Sequence, residues 1–111
     1  MNKSNAVTSP DLLENTHPGQ MLREDYLEPL GITAYKMATG TGLSQIHVSK
    51  ILRGQRSITP MTSLLLGKFF GVSERFWLNL QNHYDLIEAQ RANPKRLAQV
   101  IPYAGLITNH G

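Results

Sequence analysis

An all-α fold is predicted for this chain: five helices and a short extra C-terminal helix, with a helix-turn-helix pair at the centre. Three observations predict it. No stretch alternates apolar and polar residues as a half-buried strand does. Helix N-capping residues (Thr33, Ser44, Thr59, Ser73) recur ahead of segments with helical apolar spacing. In the run Thr33–Arg56, TAYKMATGTGLSQIHVSKILRGQR, small Ala38 is followed by Gly42 and Leu43, then by Val48 and Ile51, three residues apart. That order suits two short helices crossing closely about a glycine turn, the second helix anchored by valine and isoleucine.

The 111 residues suffice for one domain with a modest core, and 41% of them are hydrophobic, so metal or disulfide staples are not needed. There is no cysteine, hence no disulfide and no thiolate metal site. No apolar run approaches the roughly 20 residues of a membrane span, and Met1–Pro18 is too polar for a signal peptide, so the expected compartment is the cytoplasm. The net charge of +3 is unevenly placed. From Lys36 to Arg75 there are six basic residues and one acidic, an excess of +5, whereas Asp11 to Glu28 holds five acidic and one basic, an excess of −4. A basic centre suits a polyanion, and the acidic approach suits a basic protein.

Residues 1–16 are polar apart from Leu12–Leu13 and are expected to form a flexible arm. Residues 17–92 form the predicted domain, and 93–111 a C-terminal extension. Pro18-Gly19 opens the first helix, with Leu22 and Tyr26 as its inner stripe, and Pro29 is expected to end it. Thr33 caps a second helix, Ala34 to about Thr41, whose end Gly40 should loosen. Ser44 caps a third, Gln45 to Arg53, stopped by Gly54. Thr59-Pro60 opens a fourth that runs to Phe70, with Met61, Leu64, Leu65 and Phe69 as its apparent buried stripe. Ser73 caps the longest helix, expected from Glu74 to about Arg91, with Trp77, Leu80, Tyr84 and Ile87 inward. Asn93-Pro94 starts a short sixth with Leu97, Val100 and Ile101, and Pro102–Gly111 shows no period.

In a helix-turn-helix the second helix enters the DNA major groove. Gln45 is the best candidate base reader, because its amide pairs bidentate with adenine; Lys50 suits guanine or a phosphate. His47 and Ser49 flank that face, and Ile46 suits a thymine methyl. Candidate phosphate contacts are Thr33, Ala34 and Ser44 at helix N-termini, with Arg53 and Arg56 flanking the loop after the recognition helix. A domain this small cannot cover all of so long a fifth helix. Leu80, His83, Leu86, Ile87, Leu97 and Ile101 are therefore the candidate two-fold interface, and a homodimer would set two recognition helices about 34 Å apart. The four histidines (His17, His47, His83, His110) lack metal-ligand spacing, and there is no HExxH, GxSxG, Walker or GxGxxG motif. No enzymatic activity, cofactor or metal is expected.

Three segments carry a family resemblance: HPGQMLREDYLEPLGIT, GLSQIHVSKILRGQRSITP and FFGVSERFWLNLQNHYDLIEAQ, within His17–Arg91. On these the chain resembles the HigA antitoxins of the Xre/Cro-like, lambda-repressor-like helix-turn-helix group. Gly40 departs from the pattern, in which a larger residue is commoner. The resemblance implies an antitoxin that neutralises a HigB-type toxin, a small basic mRNA-cleaving ribonuclease, and binds operator DNA as a dimer to repress its own operon. A stand-alone Xre-like regulator and a protein-interaction adaptor that does not bind DNA are the alternative readings.

Overall fold

The computed structural model describes residues 14–108, and among these it contains seven helices and no strand. Most of the expected N-terminal arm, including Leu12 and Leu13, lies outside them. Helix α1 is composite: α-helical over Pro18–Met21, π-helical over Leu22–Leu27 and α-helical again over Glu28–Leu30. Then come α2 (Ala34–Thr41), α3 (Gln45–Leu52), α4 (Pro60–Phe70), α5 (Phe76–Ala92), α6 (Pro94–Ala98) and α7 (Tyr103–Thr108). Helix α2 crosses α3 and rests on α4, α4 packs on α5, and the start of α1 bridges α3 and α5.

Pro29 does not end α1. Ahead of it the Glu28 N–H reaches the Arg23 carbonyl, a widened i→i+5 turn. A proline clashes with the carbonyl four residues back in a regular helix, and the widened turns relieve that demand. The chain stops at Gly31 instead, where the Ile32 N–H closes on the Leu27 carbonyl at 2.9 Å. Residues five apart now share a face, so Leu27 joins Leu22 in the core, while Tyr26 is half-buried.

Helix α4 also departs from its hydropathy pattern. Met61 and Leu64 are exposed, and Leu65 and Phe69 are only half-buried. The inward residues are Thr62, Ser63, Leu66 and Gly67. Small side chains are needed there because a Cβ on Gly67 would stand 3.0 Å from the Glu74 Cα. Ser63 ties the contact: its hydroxyl donates to the Glu74 carbonyl at 2.6 Å and accepts from the Leu78 N–H at 3.0 Å. Helix α5 starts at Phe76, not Glu74, with the Ser73 hydroxyl accepting from the Arg75 N–H at 3.2 Å.

Trp77, fully buried, centres the core. Tyr26 and Phe76 each meet it edge-on at 4.9 Å, and Phe70 tilts against it at 6.1 Å. Helix α2 does not end loosely at Gly40. Its end closes through the Gly42 N–H on the Ala38 carbonyl at 2.9 Å. A Cβ on Gly40 would lie 2.2 Å from the Phe69 ring, so a glycine costing about 1 kcal/mol in helix propensity makes room for an aromatic side chain. Beyond α5, Leu97, Val100, Ile101, Tyr103 and Leu106 are all exposed. Helix α7 lies in a segment whose sequence has no period.

The entry to α1 is capped by a titratable side chain. The His17 Nδ1 accepts from the Gly19 N–H at 2.8 Å, and the ring lies edge-on to Tyr84 at 4.9 Å. Burial lowers the His17 pKa, and the charge of Asp85 offsets part of that. A nitrogen that caps must be unprotonated. The unfolded chain therefore takes up the proton first, and the stabilisation is complete above the unfolded pKa, about 6.5, declines below it and is lost as pH falls through the lower folded-state pKa. We expect the melting temperature to drop between pH 7 and 5, and His17→Asn, a cap that does not titrate, to flatten that slope. Equal slopes for the two proteins would show that His17 is not the group responsible.

Candidate nucleic-acid interface

Helix α3 is held at both ends. The Ser44 hydroxyl accepts from the His47 N–H at 3.0 Å and starts it. At the other end the Gly54 N–H pairs with the Ile51 carbonyl at 3.0 Å and the Gln55 N–H with that of Lys50 at 2.8 Å. This closure places Gly54 at φ 73°, a conformation that costs a residue with a side chain. Arg23 of α1 donates through Nη1 to the Leu52 carbonyl at 2.8 Å, putting a cation on the negative end of α3.

Val48 and Ile51 are fully buried, as their spacing predicts, and they fix which way α3 faces. On the opposite side Gln45, Ile46 and Lys50 are exposed. Ile46 is 70% exposed, so its side chain is free to make an apolar contact. Ser49 is half-buried, and its hydroxyl accepts from Arg53 Nη1 at 2.6 Å, which ties that arginine to the helix end. His47 is half-buried. Its Nε2 is sealed from solvent with no partner among the described residues, and burial together with the Arg56 charge lowers its pKa.

The candidate phosphate contacts are all at the surface. Thr33, Ala34, Ser44, Arg53 and Arg56 are exposed. The Thr33 hydroxyl caps the Lys36 N–H at 3.0 Å, leaving the first amides of α2 aimed outward at the positive end of its dipole. Glutamine, lysine and two arginines are thus exposed on α3 and just after it, and two helix N-termini are exposed at Thr33 and Ser44, groups suited to a strong polyanion. Of the candidate dimer residues, His83, Leu86, Leu97 and Ile101 are exposed, Ile87 is half-buried, and Leu80 packs partly into its own core.

Sequence reasoning missed the buried Gln81. Its Oε1 accepts from the Ile58 N–H at 2.8 Å and its Nε2 donates to Asp85 at 3.0 Å, which pins the loop after α3 to α5. The available signal was position: Gln81 lies one turn beyond Trp77 on the same face. Among the described residues no group of histidine and acidic side chains is placed to hold a metal, and no helix is long and apolar enough to cross a membrane.

Comparison with known proteins places this geometry. The helix-turn-helix family HTH_3 matches residues 24–77. Virulence-associated protein I of Dichelobacter nodosus is 43% identical over 75 residues, covering 68% of this chain and 69% of that protein. The solved structure of the Pseudomonas aeruginosa antitoxin HigA with the higBA promoter superposes with a TM-score of 0.77 at 34% identity, covering 81% of this chain and 99% of that one. An addiction module antidote protein of the HigA family from Coxiella burnetii gives 0.77 at 38% identity, covering 82% of this chain and 100% of that one.

Proposed function

Because the chain belongs to the HigA family of helix-turn-helix antitoxins, we propose that it binds operator DNA through α3 and represses its own operon while neutralising a HigB-type, mRNA-cleaving toxin. One observation carries the DNA half. Gln45, Ile46 and Lys50 stand exposed on a helix whose other face is locked by fully buried Val48 and Ile51. The promoter complex of the Pseudomonas antitoxin supports the same reading. Gln45 reads an adenine edge, Ile46 meets a thymine methyl, and Lys50 takes guanine or phosphate. His47 and Ser49 border the contact. Thr33, Ala34, Ser44, Arg53 and Arg56 hold the backbone and set register. Residues 17–92 form the DNA-binding body. Two copies pair through the outer side of α5 and the extension from 93 onward, using Leu86, Leu97 and Ile101 with His83, Ile87 and the rim of Leu80.

For the toxin, charge favours the acidic front of the chain. Glu24, Asp25 and Glu28 are exposed on α1 and suit a small basic protein, whereas Lys95 and Arg96 on α6 do not.

Gln45→Ala is expected to weaken operator binding by about 1–3 kcal/mol, roughly 5- to 160-fold in affinity. Lys50→Ala should weaken it and lower the salt slope by about one if the ammonium meets a phosphate. Both positions are exposed, so stability should move by no more than about 0.5 kcal/mol. The check is an operator shift assay across salt concentrations beside a thermal melt. Unchanged affinity in both variants would remove α3 from the contact. Co-expression with the adjacent reading frame and a pull-down tests the toxin half, and an adjacent frame that encodes no small basic protein would favour a stand-alone regulator.

A further inference from the structure

We propose that the cleft between α2 and Phe69 binds a small amphipathic carboxylate. Its volume is about 530 Å³, within the roughly 300–1,000 Å³ of small-molecule sites. Ile32, Tyr35 and Phe69 supply apolar walls, and Thr33, Lys36 and Thr39 ring the opening.

Gly40 makes the cleft. The Phe69 ring lies so close to α2 that a Cβ at position 40 would come 2.2 Å from its Cε1 and 2.7 Å from its Cδ1. With glycine there, the half-buried ring settles against the helix and floors the cavity; with any larger residue it would have to move. Tyr35 is 64% exposed, so a large aromatic side chain lining the cleft is open to an occupant.

Charge selects the occupant. No acidic residue lines the cleft. Lys36 is exposed, and among the described residues no carboxylate pairs with its ammonium. It stands in the first turn of α2, where the helix dipole is positive. A cavity with apolar walls and a cationic rim fits an anion that has an apolar body. A DNA phosphodiester would use only the rim and leave the walls wet. A single carboxylate on an aryl or short alkyl chain satisfies both parts. Thr33 and Lys36 flank Ala34, the helix terminus assigned above to a DNA phosphate, so a bound carboxylate displaces DNA there; that consequence rests on the proposed DNA-binding function, whereas the binding itself does not.

The test is titration of 4-phenylbutyrate into the full chain without DNA, followed by amide and methyl NMR shifts and by calorimetry. Saturable shifts at Ile32, Tyr35 and Phe69 are expected, with 4-phenyl-1-butanol binding about tenfold more weakly, the loss that follows from removing one charged contact, and with inorganic sulfate, which lacks the apolar body, also binding more weakly. Lys36→Met should weaken binding by a similar factor, and Thr39→Phe, at an exposed position, should fill the cleft and abolish it, both with unchanged melts. Shifts scattered over the surface, equal binding of the alcohol, or full affinity in Lys36→Met would overturn the site. In the operator assay, saturating carboxylate should lower affinity severalfold. Undiminished operator binding with the cleft filled would remove the competition, while failure of the ligand-free chain to bind operator would count against the DNA-binding function alone.

Discussion

Gly19→Ala should cost at least about 4 kcal/mol, among the largest effects a single methyl can have. Gly19 is buried where the start of α1 crosses the end of α3. A Cβ built on it would stand 1.7 Å from the Ile51 carbonyl oxygen and 2.8 Å from its carbon. Both are backbone atoms, so no rotamer change relieves the clash. Either α1 lifts from α3, which also strains the His17 cap and the Arg23 bond to Leu52, or α3 shifts and its exposed face turns with it. Against a total stability of about 5–15 kcal/mol, much of the folded population is lost. Urea or thermal unfolding followed by circular dichroism measures this. A cooperative melt within a few degrees of the parent would mean that α1 does not rest on α3. If the variant stays partly folded, operator affinity should fall further than the folded fraction explains.

Trp77→Ala should destabilise by about 3–5 kcal/mol. The indole is fully buried and touches rings from three directions: Tyr26 from α1, Phe70 from α4 and Phe76 from its own helix. Its removal leaves a cavity that these rings cannot close without losing their edge-to-face contacts. Trp77→Phe should be far milder. It keeps an aromatic body there and deletes an indole N–H that meets no acceptor among the described residues. Comparable losses for Ala and Phe would point to a polar role for the nitrogen, and a near-neutral Ala variant would remove Trp77 from the core.

Much of the candidate interface was legible from local rules. Ser44 as cap, Gly54 as stop, and Val48 with Ile51 as anchors each depend on neighbours within one or two turns, and together they determine which face of α3 turns outward. His47 and Ser49 flank that face by spacing, yet Nε2 of one is sealed near Arg56 and the hydroxyl of the other is bonded to Arg53. The Ser49–Arg53 pair is an i,i+4 contact that spacing encodes, whereas Arg56 comes near His47 through the loop beyond the helix, which spacing does not.

Along the chain one can read where five main helices run, how most of them are capped, and that a basic helix-turn-helix follows an acidic front. Packing in three dimensions was needed to see that α4 turns Thr62, Ser63 and Gly67 inward, that α1 widens ahead of Pro29, and that Gly19 and Gly40 mark close approaches. Capping and turn chemistry act through hydrogen bonds a few residues long, so they can be read along the chain. Which face a helix buries is set by how near the next backbone comes, and where two helices nearly touch, small size outweighs hydrophobicity.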